Sequence, residues 1–525
     1  MLSIAEHHIH DQQTLTTRAS TGAMVLGPAR IDRCSLRESP GMTTITDTDH
    51  PSTLDEPLPN ELDRSPDHLL RALTAIPFLA VILWIAVLDP YYGPMDDANL
   101  LGMAHWIWSP DYWATWWSAM QNDVTTWGMI RPFYWALAEL QYQLGHSQPI
   151  VLFAVNWAVT TAVLVFAGVA MTRVFVVPVG RRPLFMAAYA AAAIGFPWTL
   201  DLYAFPSLQE KWVILAAAIG FWWFSRPRER FSAPGWYAIS LLVIVAGSLT
   251  KAQFVVFLPA FALLTLDTTR ERKASPSRLL FVIAVSVIVA AALRIVATYG
   301  SYTTSYGLQN VSTQLHSKYL WLLVALGAVW SVYAIRVHRS AGSRIREFVP
   351  IAVLVTFIGV FLQWNSFLFS VISFVAAASL ALVVSRIDRR GLALAAVGVA
   401  VVCSLGWSWA RAGELFGSLS SIGQFTRSAE IRQLAEEGRR VYVSCSEGSH
   451  AFARYAQREA GVTVRFDPGS GPAWSVAKGT APPPGFTWAF VDDHMCPAVV
   501  DSSTWTAVWR PSRAGGFTLY QKTIP

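Results

Sequence analysis

From residue 69 to residue 409 the chain alternates long apolar runs with short polar or charged stretches, a pattern that predicts membrane-spanning helices rather than a soluble core. The first run is Leu69 to Leu88. Later runs lie at approximately 149–171, 184–200, 208–224, 236–250, 253–267, 278–299, 319–335, 347–363, 366–385 and 391–409. At ~20 residues for each passage of the hydrocarbon core, these make about eleven crossings. Two regions fall outside the pattern. Residues 1–66 are rich in Thr, Ser, Asp, His and Pro and show no sustained apolar period, so they cannot bury enough surface to offset the cost of ordering. They read as a disordered cytoplasmic tail, and His7, His8 and His10 belong to it rather than to a metal site. Residues 411–525 show a helical pattern over Ala429–Arg440, then strand-like segments at Val441–Cys445, Thr487–Val491, Thr504–Trp509 and Phe517–Gln521, separated by Pro- and Gly-rich turns.

Composition agrees with this reading. Of 525 residues, 53% are hydrophobic and only 14% charged, and 23 are Trp, which excludes an ordinary soluble protein of this length. The net charge of +6 does not indicate nucleic acid, because Lys and Arg are gathered in short clusters between apolar runs. One set of loops carries Arg173, Arg181 and Arg182; Arg226, Arg228 and Arg230; Arg270, Arg272, Lys273 and Arg278; Arg336, Arg339, Arg344 and Arg346; and Arg386, Arg389 and Arg390. By the positive-inside rule these loops are cytoplasmic. The alternate loops hold mainly acids: Asp89, Asp96, Asp97, Asp111, Asp123, Glu139, Asp201 and Glu210. An odd number of crossings then places the termini on opposite sides. The expected fold class is an all-α polytopic membrane protein with a small extracytoplasmic α/β domain. Its parts are a tail at 1–66, a transmembrane domain at 67–410 with an outer loop at 89–148, and the outer domain at 411–525. Cys445 and Cys496 share that outer domain, where a disulfide between them is chemically possible. No CxxC spacing occurs among the four Cys.

The stretch LDPYYGPMDDANLLGMAHWIW, Leu88 to Trp108, carries the strongest chemical signal. It delivers the adjacent acids Asp96 and Asp97 just beyond the first span. The Trp residues that follow, Trp106, Trp108, Trp113, Trp116, Trp117 and Trp127, suit an element lying in the headgroup region. Helix capping would explain one Asp better than two. A carboxylate pair at lipid depth suits a lipid-borne substrate: one accepts a proton from an attacking hydroxyl while the other holds that hydroxyl or a metal. Arg131 and Lys251 are cations on the side that the positive-inside rule depletes, and both could grip a phosphate, the alternative being snorkelling to headgroups. Glu210 is a candidate second acid, with an internal pair to Lys211 as the structural alternative. Arg294, His316 and Lys318 are weaker phosphate-binding candidates. His105 and His146 read as interfacial or packing residues.

Together these segments resemble the GT-C superfamily of polytopic glycosyltransferases, which includes protein O-mannosyltransferases, lipid A aminoarabinose transferases and actinobacterial wall arabinosyl- and mannosyltransferases. RPFYWALAELQYQLG at Arg131–Gly145 is similar to that group's R/K-P-P-x-x-Y-W-L-L-A-L segment, with one Pro instead of two. LTKAQFVVFLP at Leu249–Pro259 is similar to its L-T-K-G-P-x-x-x-L-x-P segment, with Ala252–Gln253 in place of Gly–Pro. The acid pair after the first span and Glu210 complete the likeness. The resemblance implies transfer of a sugar from a polyprenyl-phosphate carrier to a hydroxyl of an envelope glycan, glycolipid or protein outside the plasma membrane, with inversion at the anomeric carbon. It implies Asp96 or Asp97 as base and leaves a divalent cation, Mg or Mn, open as cofactor at those acids. The rival reading from another class is a transporter or flippase for an envelope lipid or glycan precursor. Such folds often show internal repeats and midplane charges, and neither is evident here.

Overall fold

The computed structural model describes residues 66–87, 112–145, 149–226, 232–266, 276–297, 318–341, 345–361, 369–444, 457, 460–466, 481–492, 500–510 and 517–523. Helical segments lie within each of the expected apolar runs, though not always as one continuous helix. In chain order the helices are α1 (Pro66–Val87); α2 (Tyr112–Asn122) and α3 (Pro132–Gly145) in the aromatic segment; α4 (Pro149–Val174); α5 (Arg182–Gly195) and α6 (Pro197–Ala204); α7 (Glu210–Phe224); α8 (Ala233–Thr250); a 3-10 turn (Ala252–Phe257) leading into α9 (Leu258–Leu266); α10 (Pro276–Ala297); α11 (Lys318–Ala341); α12 (Val349–Phe361); α13 (Phe369–Ser385) and α14 (Arg390–Thr426). Among the described residues, five segments are long and apolar enough to cross a membrane by length and composition: His68–Val87, Ile150–Val174, Ala233–Thr250, Pro276–Ala297 and Arg390–Ala410. The protein is membrane-embedded.

The expected span at 184–200 is broken instead of continuous. α5 and α6 meet at 79°, and counted as one bent span they make a sixth crossing. The cause is local: Pro197 supplies no backbone N–H, and Phe196 before it is extended, at φ −78° and ψ 124°. α5 is the hub of the bundle. Its sequence RPLFMAAYAAAAIG is buried on several faces, and it packs against α1, α13 and α14. The small Ala side chains let neighbouring backbones approach closely, which is how helices associate where lipid removes the hydrophobic drive.

α14 differs from expectation in length. It runs unbroken from Arg390 to Thr426, across the boundary placed at residue 411. Polar residues mark where a helix leaves the apolar layer, but they do not oblige its backbone hydrogen bonding to stop. After a short helix α15 (Ala429–Glu436), capped by the Ser428 hydroxyl, the described residues form five strands: β1 (Arg440–Ser444), β2 (Thr463–Phe466), β3 (Trp488–Asp492), β4 (Trp505–Trp509) and β5 (Phe517–Lys522). β2 lies outside the sequence expectation. The sheet order is β2-β1-β3-β5-β4, with β1 parallel to β2 and β3, and β5 antiparallel to β3 and β4.

Two ends of the bundle are distinguished by chemistry. At one end three of the basic loops, those at 173–182, 336–346 and 386–390, meet. Arg346 donates to the carbonyls of Arg173 (2.9 Å) and Val174 (3.3 Å), the last turn of α4; Arg181 pairs with Asp388 (3.0 Å); and Arg386 pairs with Glu347. The other end of α4, about 39 Å away at 1.5 Å per residue, carries Leu152 and Asn156. There one buried cluster joins Tyr134, Trp135 and Ala138 of α3, Leu152 and Trp212 to Phe425, Ile431, Leu434, Val441, Val443, Phe490 and Leu519. The sheet therefore sits at the same end as the aromatic segment at 112–145.

Candidate functional site

The aromatic segment at 112–145 folds back on itself. α2 contains no charged residue; its Trp113 and Trp117, one turn apart, are 70% and 52% exposed, while Trp116 donates from Nε1 to the Pro132 carbonyl at 2.8 Å. α2 continues as one π-helical turn, Asp123–Trp127, and is stopped by Gly128 at φ 62°. That left-handed residue suits Gly, and the turn it makes lets Met129 N donate to the Asp123 carbonyl at 3.1 Å. The chain is thereby returned so that Arg131, eight residues on, faces Asp123.

Arg131 and Asp123 form a buried fork. Nε donates to Oδ2 at 2.8 Å and Nη2 to Oδ1 at 2.5 Å, while Trp135 Nε1 also donates to Oδ2 at 2.5 Å. Arg131 Nη1 crosses to Gln209 Oε1 at 2.7 Å. Tyr134 and Trp135 flank the guanidinium, with ring centroids 5.4 and 5.9 Å from Cζ. Asp123 is fully buried, so these bonds replace the water that its carboxylate loses.

Gln209 is followed by Glu210, the first residue of α7, and Glu210 Oε1 accepts from Lys251 Nζ at 2.6 Å. The Glu210 side chain is 2% exposed and that of Lys251 13%. The partner of Glu210 is thus Lys251, not Lys211. Lys251 stands at the break between α8 and the 3-10 turn, with an extended backbone of φ −164° and ψ 141°. The turn is seated by Phe254, whose ring packs so closely on Gly247 that an added Cβ there would come within 2.3 Å of it. Glu210 Oε2 is buried and accepts no hydrogen bond from the described residues.

Lys211 does something else. Fully buried, it donates to Asn156 Oδ1 at 2.6 Å and to the Pro206 carbonyl. Asn156 Nδ2 donates to the carbonyls of Leu202 (2.9 Å) and Tyr203 (3.1 Å), and Trp157 Nε1 to that of Tyr203 (3.2 Å). These groups cap the C-terminal end of α6, where carbonyls lack helical partners and a positive charge is favoured.

Of the residues singled out from the sequence, the structure brings Glu210 and Lys251 into contact and joins Arg131 to them through Gln209. Arg294 is exposed in the last turn of α10. Lys318 opens α11. Asp96, Asp97, His316, Cys445 and Cys496 lie outside the described residues. Among the described residues no group of three or more His, Cys, Asp or Glu is placed to hold a metal ion. Asp123, with both oxygens bonded to Arg131 and Trp135, does not fit a ligand's role. Sequence reasoning had grouped Asp123 with the outer acids without assigning it a partner, and had not singled out Gln209 or Asn156. The signal available for Asp123 was its place eight residues before a lone outer cation; for Gln209 there was only adjacency to Glu210.

No family model and no curated protein matches the sequence. Among solved structures, ArnT from Cupriavidus metallidurans bound to undecaprenyl phosphate aligns with a TM-score of 0.50 and 13% identity, over 87% of this chain and 98% of that one. The apo state of the same protein aligns at 0.50 and 14%, over 85% and 97%. The archaeal oligosaccharyltransferase AglB from Archaeoglobus fulgidus aligns at 0.43 and 11%, over 82% of this chain and 70% of that one, too low a score to argue from. The chain therefore shares its overall fold with ArnT.

Proposed function

We propose that the protein is a membrane glycosyltransferase that moves a sugar from a polyprenyl-phosphate donor to a hydroxyl of an envelope glycan, glycolipid or protein on the outer face of the plasma membrane, with inversion. The observation that carries this reading is a GT-C fold aligned along nearly the whole of a protein solved with undecaprenyl phosphate, combined with a cation at the position of that group's L-T-K segment. Fold alone does not establish activity, so the reading stands on the site. Lys251 is held by a buried carboxylate at the end of the bundle that carries the aromatic segment and the sheet. Where lipid phosphate departs, an ammonium in a dry setting stabilises the developing charge far more than it would in water.

In the proposed reaction Asp96 or Asp97 takes the proton from the acceptor hydroxyl as its oxygen attacks the anomeric carbon. The bond from that carbon to the phosphate oxygen breaks, and the phosphate leaves on the lipid beside Lys251. Arg294, His316 and Lys318 are further candidates for the same phosphate, and Glu210 orients Lys251. No step is routed through a metal. The amino-terminal segment would lie in the cytoplasm with the basic loops, and the sheet domain outside.

The test is sugar transfer by purified protein, supplied with a panel of polyprenyl-phosphate sugars and crude envelope glycolipids, comparing wild type with Asp96→Asn/Asp97→Asn. Transfer that disappears in the double variant supports the reading. Transfer that is undiminished removes the acid pair from the chemistry. Absence of any donor consumption, with lipid flux across proteoliposomes that depends on the same acids, replaces it with transport.

A further inference from the structure

We infer that Asp123, Arg131 and Gln209 form a buried strut that positions the Glu210–Lys251 pair, so that Arg131 is a positioning residue and not a ligand of the donor phosphate. The inference rests on the reading of Lys251 as the phosphate-binding cation. It begins from the directions of the bonds. All three guanidinium nitrogens of Arg131 already donate to protein groups, two to Asp123 and one to Gln209. Arg131 is 8% exposed, between the rings of Tyr134 and Trp135. The fork and the amide bond use three of its five N–H groups, and a phosphate could take the others only by entering between these rings; parting Arg131 from the fully buried Asp123 carboxylate or from Gln209 to admit it would leave a buried polar group unsatisfied.

The far end of the strut is placed where it governs the site. Gln209 is the cap residue of α7, and its carbonyl accepts from Trp212 N (3.0 Å) and Val213 N (3.4 Å). Holding the Gln209 side chain therefore sets the rotation of the first turn of α7, and with it the direction in which Glu210 meets Lys251. A second tie lies two residues earlier, where Tyr134 Oη donates to the Ser207 carbonyl at 3.3 Å. The rings of Tyr134, Trp135 and Trp212 share one buried cluster. Apolar contact alone would hold these segments together; the fork and the amide bond add a fixed register, because they are directional. The strut thus ties the segment at 123–135 to the first turn of α7, which presents Glu210 to Lys251.

The test uses full-length protein in detergent and two readouts. Hydrogen exchange of the backbone amides at 209–213 is compared in wild type, Gln209→Leu and Arg131→Lys, alongside donor kinetics for the same proteins, Gln209→Glu and Lys251→Ala. A strut predicts exchange at 209–213 at least about fivefold faster in both Gln209→Leu and Arg131→Lys. It also predicts that kcat falls about tenfold in Gln209→Leu with donor KM within about twofold, and that Gln209→Glu, which keeps the acceptor, retains the wild-type kcat. Lys251→Ala instead raises donor KM. Unchanged exchange at 209–213, or a rise in donor KM for Gln209→Leu equal to that of Lys251→Ala, overturns the inference. If wild type transfers no sugar the enzyme reading fails by itself, and the exchange data still decide the strut. If Gln209→Leu does not fold, Arg131→Lys, which keeps the charge and loses the fork, carries the same two readouts.

Discussion

At the scale of single residues the protein retains charge where the bundle is dry, and each retained charge is bonded. Glu210 and Lys251 illustrate the energetics. Lys251→Met leaves a carboxylate at 2% side-chain exposure without its cation, and breaking such a pair costs about 3–5 kcal/mol. We expect a correspondingly lower unfolding midpoint for Lys251→Met in detergent and substantial recovery in Lys251→Met/Glu210→Gln; a double variant no more stable than the single would show that the pair is not what the loss measures. Val176 is a second case, at the end of α4. It is a β-branched residue at φ 52°, with Val177 N donating to the Thr172 carbonyl at 2.9 Å and Val176 N to that of Arg173 at 3.3 Å. This is a helix-ending motif that ordinarily employs Gly. Arg346 adds its own donors to the Arg173 and Val174 carbonyls, which helps hold the turn despite its residue. Val176→Gly relieves the left-handed strain and should raise stability by about 1 kcal/mol, read as a higher midpoint in thermal unfolding.

At the scale of elements, the packing of the 3-10 turn against α8 decides where Lys251 points. Gly247→Ala would put a methyl within 2.3 Å of the Phe254 ring, and overpacking of this kind typically costs about 1–3 kcal/mol. We expect Gly247→Ala to lower stability and donor use together, and Gly247→Ala/Phe254→Leu to recover both in part; full activity in the single variant would show that the turn can shift without moving Lys251. The element scale also shows where local pattern misleads. The run at 184–200 is apolar throughout, so hydropathy reads it as one span, yet Pro197 breaks the backbone, and α6 then ends at Ala204, where Asn156 and Trp157 satisfy its last carbonyls and Lys211 that of Pro206. The Glu210–Lys211 neighbours look like an ion pair in one dimension. In a helix adjacent residues point in directions about 100° apart, and the two find different partners.

At the scale of the whole molecule the two ends carry different chemistry, and sidedness can be checked without an activity. With the four native Cys replaced by Ser, an impermeant thiol reagent should label Ser502→Cys, exposed before β4, in intact cells, and should label Arg389→Cys, exposed before α14, only after permeabilisation. The reverse pattern would invert the proposed orientation. The apolar runs that become helices, the clustering of Arg at one set of loops and four of the five strands were all legible along the chain, because hydropathy, alternation and charge are properties of neighbours in sequence. Three things were decided only in three dimensions. Asp123 meets Arg131 because a π-helical turn and the left-handed Gly128 reverse the chain. Arg131 reaches Gln209, 78 positions on, and Lys251 meets Glu210, 41 positions back, because α3, α7 and α8 end together at one face of the bundle. Which charges pair depends on helix ends coinciding in space. No periodicity within a single segment encodes that, so the sequence by itself determined a membrane bundle with its candidate cations and acids, and packing alone decided which of them act together.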